Sequence, residues 1–306
     1  MTATLLAGTT ARLAAAGLAT ARQDAELLLA RVLGTTRLAL RVESRRPVSA
    51  AGQAALARLV ARRVRQEPLQ YLLGEAEFCR LTLAVGPGVF IPRPETEELV
   101  ERARRVLARP EARSASAVTG APGPVDGVPS SGPLVVDLCT GSGAVACALA
   151  THGPPPLTVW AVERSPAAAR WARANVDRLG LAPRVTVLEG DLFAPLAGRE
   201  LEGRLDLITA NPPYLASATL GTLPAEVRDW EPREALDGGP DGAAVIRRIL
   251  AAAPEWLGAG GTLLVEIQED QAAWVRARAG ADPRYGTVAV HRDFRGAERL
   301  LEARRV

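Results

Sequence analysis

From residue 134 onward, short apolar runs alternate with helix-forming stretches, and this alternation restricts that part of the chain to an open, mostly parallel α/β sheet. The runs predicted as strands are Leu134–Leu138, Leu157–Val162, Arg184–Leu188, Leu205–Ala210, Thr262–Ile267 and Tyr285–His291. Parallel neighbours need a long crossover between them, and most of the intervening stretches supply one in helical form. The last run, near Arg299–Arg304, follows its predecessor after only a short turn. It is therefore expected to run antiparallel.

The residues before 134 have a different character. The first 70 are rich in Ala, Leu and Arg and read as helices. One runs from Asp24 and ends at Gly34, a C-terminal cap. Another is capped by Ser49, with Leu56, Leu59, Val60 and Val64 on one face and Arg58, Arg62 and Arg65 on the other. Pro68 is expected to stop it. The Arg face reads as solvated surface or as an electrostatic handle for a partner. Residues 71–92 read as a hairpin linker, alternating from Phe78 and turning at Gly86–Gly88. A new helix opens near Pro94 with acidic residues in its first turn. Residues 110–133 are Pro, Gly, Ser and Ala with almost no large apolar side chain, the composition of a flexible loop. The expected domains are thus 1–70, helical; 71–92, linker; and 93–306, α/β.

Composition narrows the chemistry. The 37 basic residues are all Arg, which excludes lysine Schiff-base chemistry, a lysine general base and a P-loop lysine. Two histidines, His152 and His291, argue against a His-dependent triad or a multi-His metal site, and the three scattered cysteines form no disulfide frame or zinc motif; no metal is expected. No apolar run is long enough to span a membrane, and the N-terminus lacks the layout of a secretion signal, so the expected location is cytoplasmic.

Three segments carry chemistry. In Val136–Ala146, VDLCTGSGAVA, an apolar strand runs through a glycine turn into a helix. Glycines there admit a ligand close to the backbone, and the helix N-terminus adds free N–H groups. The candidate cofactor loop is Cys139, Thr140, Gly141, Ser142 and Gly143. Glu163, 20 residues past Gly143 at a strand tip, is placed to accept ribose hydroxyls. Asp191 is placed to accept from an adenine amino group, with Leu192 or Phe193 against the ring. Taken alone, these features fit a dinucleotide site, an S-adenosylmethionine site or a tight turn. The third segment is Asn211-Pro212-Pro213-Tyr214 at the end of the Leu205–Ala210 strand, beside the cofactor position. Its prolines stiffen the backbone and leave carbonyls without a helix to join. Those carbonyls and the Asn211 side-chain oxygen suit a planar NH₂ group, and Tyr214 can stack on its plane.

Asn211–Tyr214 with the glycine loop resembles S-adenosylmethionine-dependent methyltransferases that modify planar amino groups. Gln70–Phe78 (QYLLGEAEF), Phe90–Glu97 (FIPRPETE), Asp137–Gly143, Asn211–Tyr214 and the stretch from Glu231 (EPREALDG) together resemble the peptide chain release factor glutamine N5-methyltransferases, from about residue 20 to the end. The resemblance implies an N-terminal helical bundle, a β-hairpin linker and a Rossmann-like class I methyltransferase domain. It implies S-adenosyl-L-methionine as cofactor, S-adenosyl-L-homocysteine as its product, and the Gly-Gly-Gln glutamine of class 1 release factors as substrate. It favours a monomer acting on this protein partner, with neither membrane nor nucleic-acid substrate. Asn211, Pro212 and Tyr214 then carry catalysis, Asn211 also borders the cofactor, and Pro213 and Phe90 line the substrate slot. Cys139 stands where the family commonly has Gly, the 110–133 loop is longer than usual, and Gln268–Gln271 is a variant segment. These departures leave open a paralogue acting on another protein.

Three rival readings remain. Adenine N6 is also a planar NH₂, so a nucleic-acid methyltransferase fits the Asn-Pro-Pro-Tyr segment, although the Arg residues are balanced by 34 acids and no separate target-recognition domain is evident. A dinucleotide-dependent oxidoreductase fits the glycine loop but leaves Asn211–Tyr214 unexplained. A non-catalytic binding module would leave the cofactor site idle.

Overall fold

The computed structural model describes residues 1–42, 46–109 and 132–306. The segment expected to be a flexible loop, 110–133, lies outside the described residues except for its last two. The chain divides into two compact units. One comprises Met1–Ala76, Val85–Pro87 and Leu223–Glu231, the other Glu77–Ala84, Gly88–Thr222 and Pro232–Val306.

The first unit holds α1 (Thr2–Ala15), α2 (Ala21–Leu33), α3 (Arg37–Val42), α4 (Ala50–Val64) and α5 (Leu69–Leu73). Gly34 closes α2 at φ 60°, and the Ser49 hydroxyl caps α4 by accepting the Gly52 N–H at 3.1 Å. Leu28, Leu29, Leu56 and Val60 form the core of this unit, where apolar burial supplies the main driving force. Three acids, Asp24, Glu26 and Glu67, are buried in it with cations on them. Glu26 is surrounded by Arg22, Arg37 and Arg41, and the hydrogen bond from Arg37 is the chief cause of its lowered pKa. Asp24 pairs with the buried Arg63 at 2.7 Å, and Arg63 also reaches Glu226 at 2.9 Å. Arg62, expected on a solvated face, is held by Glu67 at 2.5 Å. Helix α4 ends before Pro68, which instead precedes α5 as its N-cap.

Strands β1 (Glu75–Phe78) and β2 (Leu81–Ala84) form a two-stranded hairpin. The run expected to alternate without interruption from Phe78 is broken by the hairpin turn at Cys79 and Arg80, at φ 47° and 62°. These are the dihedrals of a tight hairpin turn, adopted here without a glycine. That is why the sequence pointed to Gly86–Gly88 instead.

The second unit continues with α6 (Glu97–Leu107), β3 (Leu134–Leu138), α7 (Ala144–His152), β4 (Thr158–Glu163), α8 (Pro166–Arg178), β5 (Val185–Glu189) and β6 (Leu205–Ala210). After α9 (Ala225–Arg228), which belongs to the first unit, come α10 (Ala244–Trp256), β7 (Leu257–Glu266), α11 (Ala272–Gly280), β8 (Tyr285–Arg292) and β9 (Glu298–Arg305). A single 3₁₀ turn at Pro94–Thr96 leads into α6.

The seven strands lie in the order β5-β4-β3-β6-β7-β9-β8. The first five run parallel, and β9 is antiparallel to both β7 and β8. The order turns back on itself between β4 and β6 around β3, and open α/β sheets bind ligands beyond the strand ends at such a reversal. Side-chain alternation sorts the central strands into two cores: Val136, Leu138, Trp160 and Val162 face one, Val135, Val159 and Ala161 the other.

Candidate active site

The site occupies the carboxyl ends of β3, β4, β6 and β7. Strand β3 leads into Cys139 at φ 55°, Gly141 at 58° and Gly143 at 79°, and then α7. A Cβ on Gly141 would meet nothing within 4 Å, so that glycine borders open space, whereas one on Gly143 would press on Ala172 at 3.3 Å. Gly143 is thus needed for close helix packing, and Gly141 for its left-handed backbone. The loop is tied down from below. Asp137 accepts the Thr140 hydroxyl at 2.5 Å and the Thr209 hydroxyl at 2.7 Å, linking the ends of β3 and β6. Burial pushes Asp137 up to about 6. Buried Asn175 of α8 donates to the Ser142 carbonyl at 2.9 Å and exchanges bonds with both backbone groups of Ala84.

Glu163 stands at the tip of β4. One oxygen accepts the Gly141 N–H and the other the Ser165 N–H, each at 2.8 Å. A carboxylate oxygen takes more than one donor, so each keeps capacity for a hydroxyl, and the side chain is only partly buried. Burial raises its pKa. Asp191 pairs with Arg248 at 2.6 Å, which competes with the expected bond to an adenine amino group. Leu192 is buried at φ 50°, while Phe193 stacks on Trp256 at 5.5 Å and so is already engaged. A glycine loop bordering open space and a pre-oriented carboxylate with spare acceptor capacity fit the nucleoside part of S-adenosylmethionine.

Asn211 follows β6, and Pro212–Tyr214 continue outside any helix or strand. The Asn211 Nδ2 donates to the Thr96 hydroxyl at 3.0 Å. Among the described residues, no group donates to Asn211 Oδ1 or to the Pro212 carbonyl. Both oxygens are therefore left as acceptors. The segment is clamped from behind. Tyr214 O accepts from Gln271 Nε2 at 3.1 Å, and the Tyr214 hydroxyl donates to Glu266 at 3.3 Å. Burial pushes the Tyr214 hydroxyl above its usual range. Leu215 exchanges backbone bonds with Leu236 and Gly238 at 3.0 and 2.8 Å. A Cβ on Gly238 would lie 2.8 Å from the Pro213 carbonyl, and one on Gly242 would lie 2.3 Å from that of Tyr214. The stretch after Glu231, which the sequence offered only as a matching motif, thus braces the Asn-Pro-Pro-Tyr segment. Phe90 carries the Arg93 guanidinium over its ring at 4.6 Å.

Thr96, Glu266, Asn175 and Gln271 were not expected at the site. Glu266 is buried at the end of β7, one residue past Val265, which is in register with Ala210. No helix among the described residues is long and apolar enough to cross a membrane, and no group of three or more His, Cys, Asp or Glu among them is arranged to hold a metal.

The parallel sheet with its reversal, the glycine loop and the strand-tip carboxylate define a class I methyltransferase domain, and a methyltransferase-domain family model matches residues 135–229. A family model described as the PrmC N-terminal domain matches residues 4–74. The release factor glutamine methyltransferase of Mycolicibacterium smegmatis is 43% identical over 99% of this chain and 97% of its own length. The human MTRF1L release factor glutamine methyltransferase is 35% identical over 94% of this chain and 83% of its own. The chain belongs to the release factor glutamine methyltransferase family. The oxidoreductase reading falls with that membership. Among solved structures, the hMettl16 catalytic domain in complex with the MAT2A 3′UTR hairpin 1 is 14% identical over 80% of each chain with a TM-score of 0.53, a likeness of fold.

Proposed function

We propose that this protein transfers a methyl group from S-adenosylmethionine to the side-chain amide nitrogen, N5, of the glutamine in the Gly-Gly-Gln loop of class 1 peptide chain release factors. The observation that carries the reading is the pair of uncommitted acceptors, Asn211 Oδ1 and the Pro212 carbonyl, at the tip of β6. A primary amide offers two N–H donors in one plane, one for each oxygen. Family membership supports the same substrate.

The Cys139–Gly143 loop and Glu163 would hold the cofactor, with Leu192 against its nucleoside. When bound, S-adenosylmethionine supplies an electrophilic methyl group on a sulfonium and leaves as S-adenosylhomocysteine. The amide nitrogen is a poor nucleophile because its lone pair is delocalised into the carbonyl. Asn211 Oδ1 and the Pro212 carbonyl answer this by orientation: each takes one N–H and points the nitrogen at the donor, which removes much of the entropic barrier. The same oxygens stabilise positive charge as it develops on nitrogen. Tyr214, Pro213 and Phe90 line the slot. The nitrogen sheds its proton to water, so no general base is required. A release factor substrate places the enzyme in the cytoplasm, where it would act as a monomer on its protein partner.

The test is incubation with a class 1 release factor and S-adenosylmethionine, followed by mass spectrometry of the peptides. One methyl group on the loop glutamine is expected. A methyl group on another residue, or transfer to nucleic acid instead, overturns the assignment.

A further inference from the structure

The Asn211 amide can be turned either way round. In one orientation it offers Oδ1 to the substrate; in the other it offers Nδ2–H, and two donors would face each other. The clamp described under the proposed function, on which this inference rests, works in the first orientation alone. Something must distinguish the two.

Behind Asn211 lies a chain of hydrogen bonds that the reaction itself does not use. Asn211 Nδ2 donates to the Thr96 hydroxyl at 3.0 Å. Thr96, itself buried, lies near enough to the Glu266 carboxyl for its hydroxyl to hold that pKa down. The Tyr214 hydroxyl donates to Glu266 Oε1 at 3.3 Å. Glu266 Oε2 is buried without a partner among the described residues. Thr96 and Tyr214, from distant parts of the chain, thus approach one buried carboxyl, and Asn211 is tied to it through Thr96.

We propose that Thr96 and Glu266 are positioning residues, fixing the Asn211 amide with Oδ1 toward the substrate and Tyr214 in the same frame. The argument is one of donor and acceptor capacity. A hydroxyl alone accepts from Nδ2 as readily as it donates to Oδ1, so Thr96 by itself does not choose. An ionised carboxylate only accepts. Thr96 must therefore donate to Glu266, which leaves its lone pairs for the Asn211 N–H. Protonated Glu266 can donate to Thr96, the hydroxyl is then free to donate onward to Oδ1, and the amide turns round.

Protonation of Glu266 therefore disables the clamp. Burial is the largest influence on this carboxyl and pushes it up to about 7, with the Thr96 hydrogen bond, Arg299 and Tyr214 opposing and Glu95 adding to the rise. Of the other charges around it, Arg295 pairs with Glu95 at 3.3 Å, Asp293 lies 3.5 Å from Arg299, and Arg93 acts on Tyr214. With Glu266 titrating there, kcat falls as the pH drops through about 7.

The experiment measures kcat for methyl transfer to a class 1 release factor at saturating cofactor, together with the cofactor Kd of each variant as a check on folding. Thr96→Val keeps the shape and removes the hydroxyl; kcat is expected to fall about 10-fold, the effect of one hydrogen bond, with Kd unchanged. Thr96→Ser restores the hydroxyl and is expected to keep kcat within about twofold of the wild type. Glu266→Gln is expected to lose the acid limb of the wild-type pH profile while still binding cofactor. Full kcat in Thr96→Val, or an acid limb that persists in Glu266→Gln, overturns the proposal. Asn211→Ala separates the two levels: if it retains full kcat, the clamp itself is wrong. If it is inactive while Thr96→Val is not, the clamp stands and the positioning chain falls.

Discussion

Replacing Glu163 by Gln isolates cofactor binding from the transfer step. Each Glu163 oxygen already accepts one backbone N–H at 2.8 Å, from Gly141 and from Ser165. Glutamine keeps one oxygen and sets an NH₂ group against the other N–H, so one backbone bond is lost and a ribose hydroxyl loses a charged acceptor. A hydrogen bond to a charged group contributes about 1.5–3 kcal/mol, which converts to a cofactor Kd raised about 10- to 150-fold. The transfer step is spared because Glu163 and Asn211 sit at the tips of β4 and β6, with β3 between them. Two strand spacings make that about 10 Å, too far for Glu163 to touch the substrate amide. At saturating cofactor kcat should stay within about threefold of the wild type. Calorimetric titration gives Kd, and single-turnover methylation gives the rate. An unchanged Kd, or a collapse of kcat with Kd intact, would refute the assignment of Glu163 to the nucleoside.

Other perturbations test other parts of the structure. Asn211→Ala removes one clamp oxygen and should lower kcat about 10- to 150-fold while the cofactor Kd changes by less than about threefold, read in the same two assays. Cys139 occupies the left-handed region at φ 55°, so Cys139→Val should destabilise the fold by about 2 kcal/mol in urea unfolding, whereas Cys139→Gly should stay within about 1 kcal/mol of the wild type. Burial raises Asp206 from 3.8 to about 6, so the folded state holds this proton longer than the unfolded one. Its contribution to stability is therefore present below about pH 4 and lost as the pH rises through about 6. Asp206→Asn keeps an acceptor for the Leu134 N–H and should flatten that part of the curve of urea midpoint against pH.

The sheet was legible in the sequence where strands are buried on both faces. The ends of β3 and β6 fall where the apolar runs place them, because Leu134–Leu138 and Leu205–Ala210 are buried at every position. The antiparallel direction of β9 followed from the short connection before it. Its insertion between β7 and β8 did not, since strand order depends on pairing far along the chain and leaves no local trace. At the site, glycine and proline were informative because each restricts the backbone at its own position. Thr96 and Glu266 were silent: they lie 170 residues apart, and although one ends the turn before α6 and the other ends β7, nothing local to either links it to Asn211. Arg63 was equally silent, since its partners Asp24 and Glu226 lie far apart in the chain.

The donors around the Asn-Pro-Pro-Tyr segment are consumed by the protein itself. Asn211 Nδ2 goes to Thr96, Gln271 Nε2 to the Tyr214 carbonyl and the Tyr214 hydroxyl to Glu266. What remains uncommitted among the described residues is the pair of acceptors, Asn211 Oδ1 and the Pro212 carbonyl, so under the proposed function the site selects a group with two N–H bonds. A primary amide satisfies both oxygens. Once methylated, the same nitrogen retains a single N–H, and one oxygen is left without its donor. An acceptor left unmet costs about 1–3 kcal/mol, so the clamp holds the product some 5- to 150-fold less tightly than the substrate. The asymmetry that orients the nitrogen for one transfer thus also releases it afterwards and disfavours a second, which makes a singly methylated glutamine the end point of the proposed reaction.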